Sequence, residues 1–390
     1  MFNKNKLGLT IISFLSYYLT GSMIIVTGIV IHSIAKYFNL SISHMSKTFT
    51  FLNAGILFSI FLNSWITNIV SFKKQIMFGL ICIITSISGL IFFKNITIFC
   101  CSMFILGMVG GITMSIGTFL ITFLYYGKER TKKLLITDSF FSMSGMIFPI
   151  ITSFLLKRNF TWYWAYTIIV IIYIIIFIIS LNVKFPNLNH DININHTINQ
   201  KKYKNNILIL CTSALCYILG QLGFISWIPE YLTQNIHMNI ESAGKLISNF
   251  WMSYMIGMWC FSYILQFIDI KIALSTLSGI STIIMYIFIH NHYIQLFNTI
   301  IIILGFFSSA IYTIIITITS LQTQKPSQKL INLTLISGTI GTLLTFIVTG
   351  PVVHHIGIYG ALIISNILYA IVFILSCLLQ HSNNYNKHWK

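Results

Sequence analysis

From end to end the chain is cut into apolar runs about as long as a bilayer is thick. A hydrocarbon core of ~30 Å takes about 20 helical residues, and cutting wherever charges and turn residues cluster leaves twelve segments. They cover roughly 9–31, 48–70, 76–93, 98–125, 134–156 and 162–183, then 207–228, 246–268, 272–289, 296–320, 330–353 and 358–379. In lipid every backbone N–H and C=O must find its partner inside the protein, so such runs are helices. With 56% hydrophobic and only 7% charged residues, a soluble domain would carry one aggregating surface. The sequence therefore predicts an all-α membrane protein of twelve transmembrane helices.

One long polar interruption divides the runs six and six. It carries Pro186, His190, Asp191, His196, Lys201, Lys202 and Lys204 and has no apolar stretch to bury. The expected organisation is a six-helix bundle over 1–183, a linker over 184–206, a second bundle over 207–380 and a tail over 381–390. The first run is longer than the ~7–15 residues of a signal peptide's apolar region, so it reads as a retained helix. On this segmentation, seventeen of the 23 Lys and Arg fall on the side of the N-terminus. Positive charge is retained in the cytoplasm, which places both termini and the linker there.

The net charge of +17 is spread through short loops, without the basic, aromatic-studded patch of a nucleic-acid binder. The seven cysteines form no CxxC pair and lie in or beside apolar runs, where they read as small buried hydrophobes. No cofactor, metal site or catalytic group is expected; HExxH, paired carboxylates and a serine with a plausible base are all missing.

A repeat is visible at half the chain length. Leu15, Tyr17 and Leu19 match Leu215, Tyr217 and Leu219, and the turn at Phe72-Lys73 matches Ile270-Lys271. Parallel six-helix repeats are how the major facilitator superfamily is built. The chain resembles that superfamily, on the branch of fucose permease-like sugar:proton symporters. The resemblance is carried by Thr48–Leu57, Gly111–Thr122, Thr137–Met143, Ala214–Glu230, Ser248–Tyr254 and Gly305–Tyr312. There are two departures. The loop before the third segment keeps only Lys73-Lys74 of the superfamily's usual charged motif. The carboxylates that the sugar symporters carry in helices one and four are missing, which bears on proton coupling by that route.

The resemblance implies a cavity lined by helices one, four, seven and ten. Those segments carry hydroxyl, amide and aromatic stripes at helical spacing. They are Tyr17, Thr20 and Thr27; Ser115, Thr118 and Thr122; Tyr217, Gln221 and Trp227; and Ser309, Tyr312, Thr313 and Thr317. Such a lining suits a neutral or zwitterionic polar solute. Against this stands the habit of Ser and Thr in membrane helices of bonding their own backbone or a neighbouring helix. Gln221 is the strongest single candidate, because an amide facing lipid is costly.

Of six acids, Glu129, Asp191, Glu241 and Asp269 read as loop residues. Asp138 reads as about one turn inside the fifth helix, either a latch or proton site or an acid reaching back to Lys132 or Lys133. Glu230 follows Pro229, where a broken helix would mark an outer gate. Gly107 and Gly111 form a GxxxG pair for close packing. Gly145, Pro149, Gly338, Gly341, Gly350 and Pro351 suit either packing or rocking. Asn53 and Asn249 read as bonds between helices, and the histidines as surface groups.

The expected function is a secondary or facilitative transporter of a small polar solute, monomeric, in the bacterial inner membrane, with a coupling ion left open. The alternative is a membrane sensor or accessory protein on the same fold.

Overall fold

A computed structural model of the protein describes residues 2–40, 45, 50–67, 69–186, 200–238, 240–323 and 327–379. Most of the expected linker (187–199) and the whole tail (381–390) lie outside these residues. Thirteen helices are described: α1 (Phe2–Phe38), α2 (Thr50–Ile66), α3 (Phe72–Phe92), α4 (Ile96–Leu124), α5 (Gly127–Lys157), α6 (Tyr163–Asn182), α7 (Gln200–Gln234), α8 (Ile240–Ile264), α9 (Ile270–Ile289), α10 (Ile294–Ser308), α11 (Ile311–Ser320), α12 (Gln328–Ile356) and α13 (Ile358–Cys377).

Each of the twelve expected segments is helical, and the tenth is divided into α10 and α11. Among the described residues, ten helical stretches are long and apolar enough to cross a membrane. The two segments outside that set have simple causes. Helix α2 has 17 residues, and α8 is diluted by Asn249, Trp251, Ser253, Tyr254, Trp259 and Tyr263.

Three expectations are corrected. Helix α5 starts at Gly127 rather than near Leu134, because its charged opening is made of Lys, Glu and Arg, all good helix formers. Glu129 is therefore in a helical first turn, and Asp138 sits about three turns into the helix instead of one. Glu241 likewise belongs to a helix, α8. Pro229 does not end α7, which runs on to Gln234. The Thr233 hydroxyl donates to the Pro229 carbonyl at 2.8 Å, and the helix absorbs the single amide that proline lacks.

By contact, the chain forms two units. The first holds Met1–Leu124 and Phe140–His196; the second holds Tyr125–Ser139 and Thr197–Lys390. In the first unit α2 packs on α4, α1 on α4 and α6, and α3 on α4 and α6. The second unit repeats the scheme: α8 packs on α10, α7 on α11 and α13, and α9 on α10 and α13. The helix starts repeat as well. Helix α3 opens at Phe72 and α9 at Ile270, where the Asp269 carboxylate accepts from the Lys271 amide at 2.8 Å, a side-chain N-cap.

Small residues set the closest crossings. Gly55 and Gly107 each lie against the backbone of the opposing helix, at Phe104 and Leu52, and Gly111 lies against Ile56 and Ser59. At one constant displacement along the chain, Gly305 lies against Phe250 and Ser253. The same displacement pairs two further loci. Asn63 donates to Ser115 at 2.8 Å where the second unit sets Gly257 against Ser309. Asn249 donates to Asn298 at 2.6 Å where the first unit sets Gly55 against Phe104.

These contacts predict opposite effects for two glycines. At Gly305 an added Cβ would fall 2.6 Å from the Phe250 carbonyl, so Gly305→Ala should destabilise by about 1–3 kcal/mol. At Gly28 a Cβ meets nothing within 4 Å, and Gly28→Ala should stabilise by about 0.5–1 kcal/mol. Thermal unfolding of the detergent-solubilised variants measures both; equal melting points would mean the α8–α10 crossing is looser than described.

Candidate substrate site

The polar groups of the first unit mostly close on one another. The Tyr17 hydroxyl meets that of Thr118 at 2.8 Å, joining α1 to α4. Thr20 donates to the Ser16 and Gly110 carbonyls, both at 3.0 Å. Thr27 bonds the Met23 carbonyl and the Tyr166 hydroxyl, and Thr122 bonds the Phe119 carbonyl. The structure thus brings Tyr17 and Thr118 together, while Thr20, Thr27 and Thr122 serve their own backbone or a neighbouring helix.

The second unit is built differently, and its difference starts with the interruption between α10 and α11. Ser308 donates to the Leu304 carbonyl and Ser309 to the Phe306 carbonyl, both at 2.7 Å. Two adjacent hydroxyls competing for backbone acceptors loosen a helix at that point. The Ser308 carbonyl is then taken by the Tyr217 hydroxyl of α7 at 2.7 Å. Tyr217, fully buried, has its ring stacked at 6.4 Å from Tyr312 and tilted at 5.3 Å from Tyr369. Its hydroxyl also meets that of Tyr254, from α8, at 3.3 Å.

Gln221 lies one turn beyond Tyr217 on the same face of α7. It is 3% exposed, and its Nε2 has no hydrogen-bond partner. Next to the interruption, Thr313 donates to Asp138 Oδ2 at 2.5 Å. Tyr254 lies close to Asp138 and within hydrogen-bonding reach of the Gln221 side chain. Five expected residues therefore gather in the second unit: Tyr217, Gln221, Tyr312, Thr313 and Asp138. Ser309 is buried beside them. Of the two sequence readings of Asp138, the structure gives its carboxylate to Thr313 rather than to Lys132 or Lys133.

Trp227 and Glu230 are placed elsewhere. The Trp227 indole donates to Thr349 at 2.8 Å, and exposed Glu230 accepts from Gln234 at 2.5 Å. Both line an open recess of about 300 Å³ with Asn235, Val353 and Gly357, which includes none of the tyrosine cluster.

Two participants were not foreseen. Tyr254 joins through the buried face of α8, and its signal was its spacing of three from Gly257, the crossing glycine. Arg130 is buried, donating from Nε to the Tyr125 carbonyl at 3.0 Å and from Nη1 to Ser320 Oγ at 3.2 Å. It caps the C-terminal end of α11, where a helix carries partial negative charge. Read as a loop charge, it gave no signal of burial.

A family model of the Major Facilitator Superfamily matches residues 9–327. The chain belongs to the Major Facilitator Superfamily. It is 54% identical over 391 residues to a "Protein TsgA homolog" of Buchnera aphidicola subsp. Schizaphis graminum, covering 100% of both chains. It is 52% identical over 389 residues to "Protein TsgA" of Escherichia coli O1:K1 / APEC, covering 100% of this chain and 98% of the other. Among solved superfamily structures, a variant of the E. coli fucose:proton symporter FucP matches with a TM-score of 0.78 at 14% identity, over 97% of this chain and 100% of that one. The proton:xylose symporter XylE matches with a TM-score of 0.78 at 10% identity, over 100% of both. The protein is a multi-pass membrane transporter of this superfamily, on a shared fold.

The interruption between α10 and α11 predicts unequal costs. Tyr217→Phe leaves the buried Ser308 carbonyl without its donor and should cost about 1–3 kcal/mol. Thr122→Ala removes only a bond to the residue's own helix and should cost less. Melting temperatures in detergent rank the two, and a reversed order would contradict the role given to Tyr217.

Proposed function

We propose that the chain is a secondary transporter that moves a small polar solute across the bacterial inner membrane by alternating access, as a monomer. The single observation that carries this is Gln221, an amide buried to 3% exposure whose Nε2 has no partner. A buried donor left unmade is costly, and in this cluster of polar side chains a solute oxygen would answer it. The surroundings fit that use: an interrupted helix, four tyrosine rings and a carboxylate. Interrupted helices at the substrate site recur among secondary transporters.

In this reading the solute is held by Tyr217, Gln221, Ser309, Tyr312 and Thr313, and the hydroxyls of α1 and α4 hold their helices in register. Alternating access in this reading is a rocking of the bundles over 1–183 and 207–380, joined by the cytoplasmic linker 184–206. Asp138 and Glu230 are the carboxylates available for gating or for a coupling ion. Two structural neighbours are by their names proton symporters of fucose and xylose, which supports a small hydroxylated or similarly polar cargo.

Gln221→Ala should abolish solute flux in proteoliposomes while the purified protein remains folded, with a cooperative melting transition. Full flux in that variant would remove the site assignment. A green fluorescent protein fused after Lys390 should fluoresce and a phosphatase fused there should be inactive; the converse would invert the topology.

A further inference from the structure

Among the described residues, Asp138 is a carboxylate in a membrane helix with no cation beside it. Its hydrogen-bond partner is the neutral Thr313 hydroxyl. Two basic residues of its own helix are turned elsewhere: Arg130 to the Tyr125 carbonyl and Ser320, Lys133 over the Tyr125 ring at 5.5 Å. From α8 the titratable neighbour is Tyr254, and α11 brings Thr313 with Tyr312 next to it in the chain. The local charge is therefore one unanswered negative.

Tyr254 adjoins it, and through Tyr254 the site continues into the rings of Tyr217 and Tyr312. Tyr254 is nearly buried, Tyr217 is fully buried and Tyr312 has only a sliver of its surface open, while Asp138 itself is half-buried. Ring faces attract cations, and more strongly where water is excluded. The same site holds the unpartnered Nε2 of Gln221, which asks for an acceptor oxygen. A carboxylate, tyrosine rings and one amide donor together describe a complementary solute.

We infer that the solute carries a protonated amine, with its ammonium on Asp138 among the tyrosine rings and an oxygen of the same solute on Gln221 Nε2. The inference rests on the reading of this cluster as the solute site and narrows it. The site then ranks amines and zwitterions first, neutral isosteres lower and anions last, since an anion would add a second negative charge beside Asp138.

The test is thermal unfolding of the purified full chain in phosphate buffer with matched pairs: ethanolamine against ethylene glycol, glucosamine against glucose, alanine against lactate. A ligand of the folded state raises the melting temperature. The amine member of at least one pair should do so and its hydroxyl partner should not. In Asp138→Asn the apparent affinity for that amine should fall by roughly tenfold or more, as when one partner of a desolvated charge pair is removed.

Equal stabilisation by the hydroxyl partner, or preserved discrimination in Asp138→Asn, would overturn the amine and leave the solute site standing. Failure of every pair to stabilise wild-type protein would also overturn it. The fate of the solute site is read separately from flux in Gln221→Ala. The wild-type comparison of paired solutes needs no variant to fold.

Discussion

A polar group inside this protein has no water to fall back on, and the architecture follows from that constraint. Backbone groups are answered by helices. Hydroxyls are answered by carbonyls one turn back, as in Ser13 to Leu9 and Thr67 to Asn63, or by the facing helix, as in Tyr173 to the Ile76 carbonyl at 2.9 Å. Close backbone approach at Gly55, Gly107 and Gly305 brings helices near enough for such short side chains to reach across. Under this rule the unanswered Gln221 donor and the Asp138 carboxylate, whose partner is a neutral hydroxyl, stand out because they share one polar cluster.

Much of the fold was legible in the sequence because bilayer thickness imposes a length, and length is easy to read. Each of the twelve segments is helical where its apolar run lies. The repeat was legible in Tyr17 and Tyr217 and in the turns before Phe72 and Ile270. The ends were less so. Charges at Lys128, Glu129, Arg130, Lys132 and Lys133 resemble a loop when apolarity is the only measure, yet they are strong helix formers and α5 begins with them. Pro229 resembles a stop, yet one lost amide is easily absorbed inside a long helix.

The site was legible by residue type but not by partner. A threonine at helical spacing reads the same whether it faces a cavity or its own backbone; Thr20 and Thr313 differ only in what the fold sets opposite them. The interruption at Ser308 and Ser309 depends on two hydroxyls acting together on neighbouring carbonyls, which single-residue propensities do not register. Arg130 was hidden for a related reason, since a guanidinium can be buried wherever a helix end supplies carbonyls to receive it.

The repeated crossings have a mechanical consequence. Helix α2 over α4 is clasped near its end by Asn63 and Ser115, with the bare contact of Gly55 toward its start. Helix α8 over α10 is clasped near its start by Asn249 and Asn298, with the bare contact of Gly257 toward its end. A hydrogen-bonded clasp resists twisting, whereas a glycine contact lets two backbones roll. The two copies of one motif therefore carry opposite stiffness gradients. A torque applied along the chain direction would pivot α2 about its far end and α8 about its near end, so duplicated halves can deform unequally under the same load.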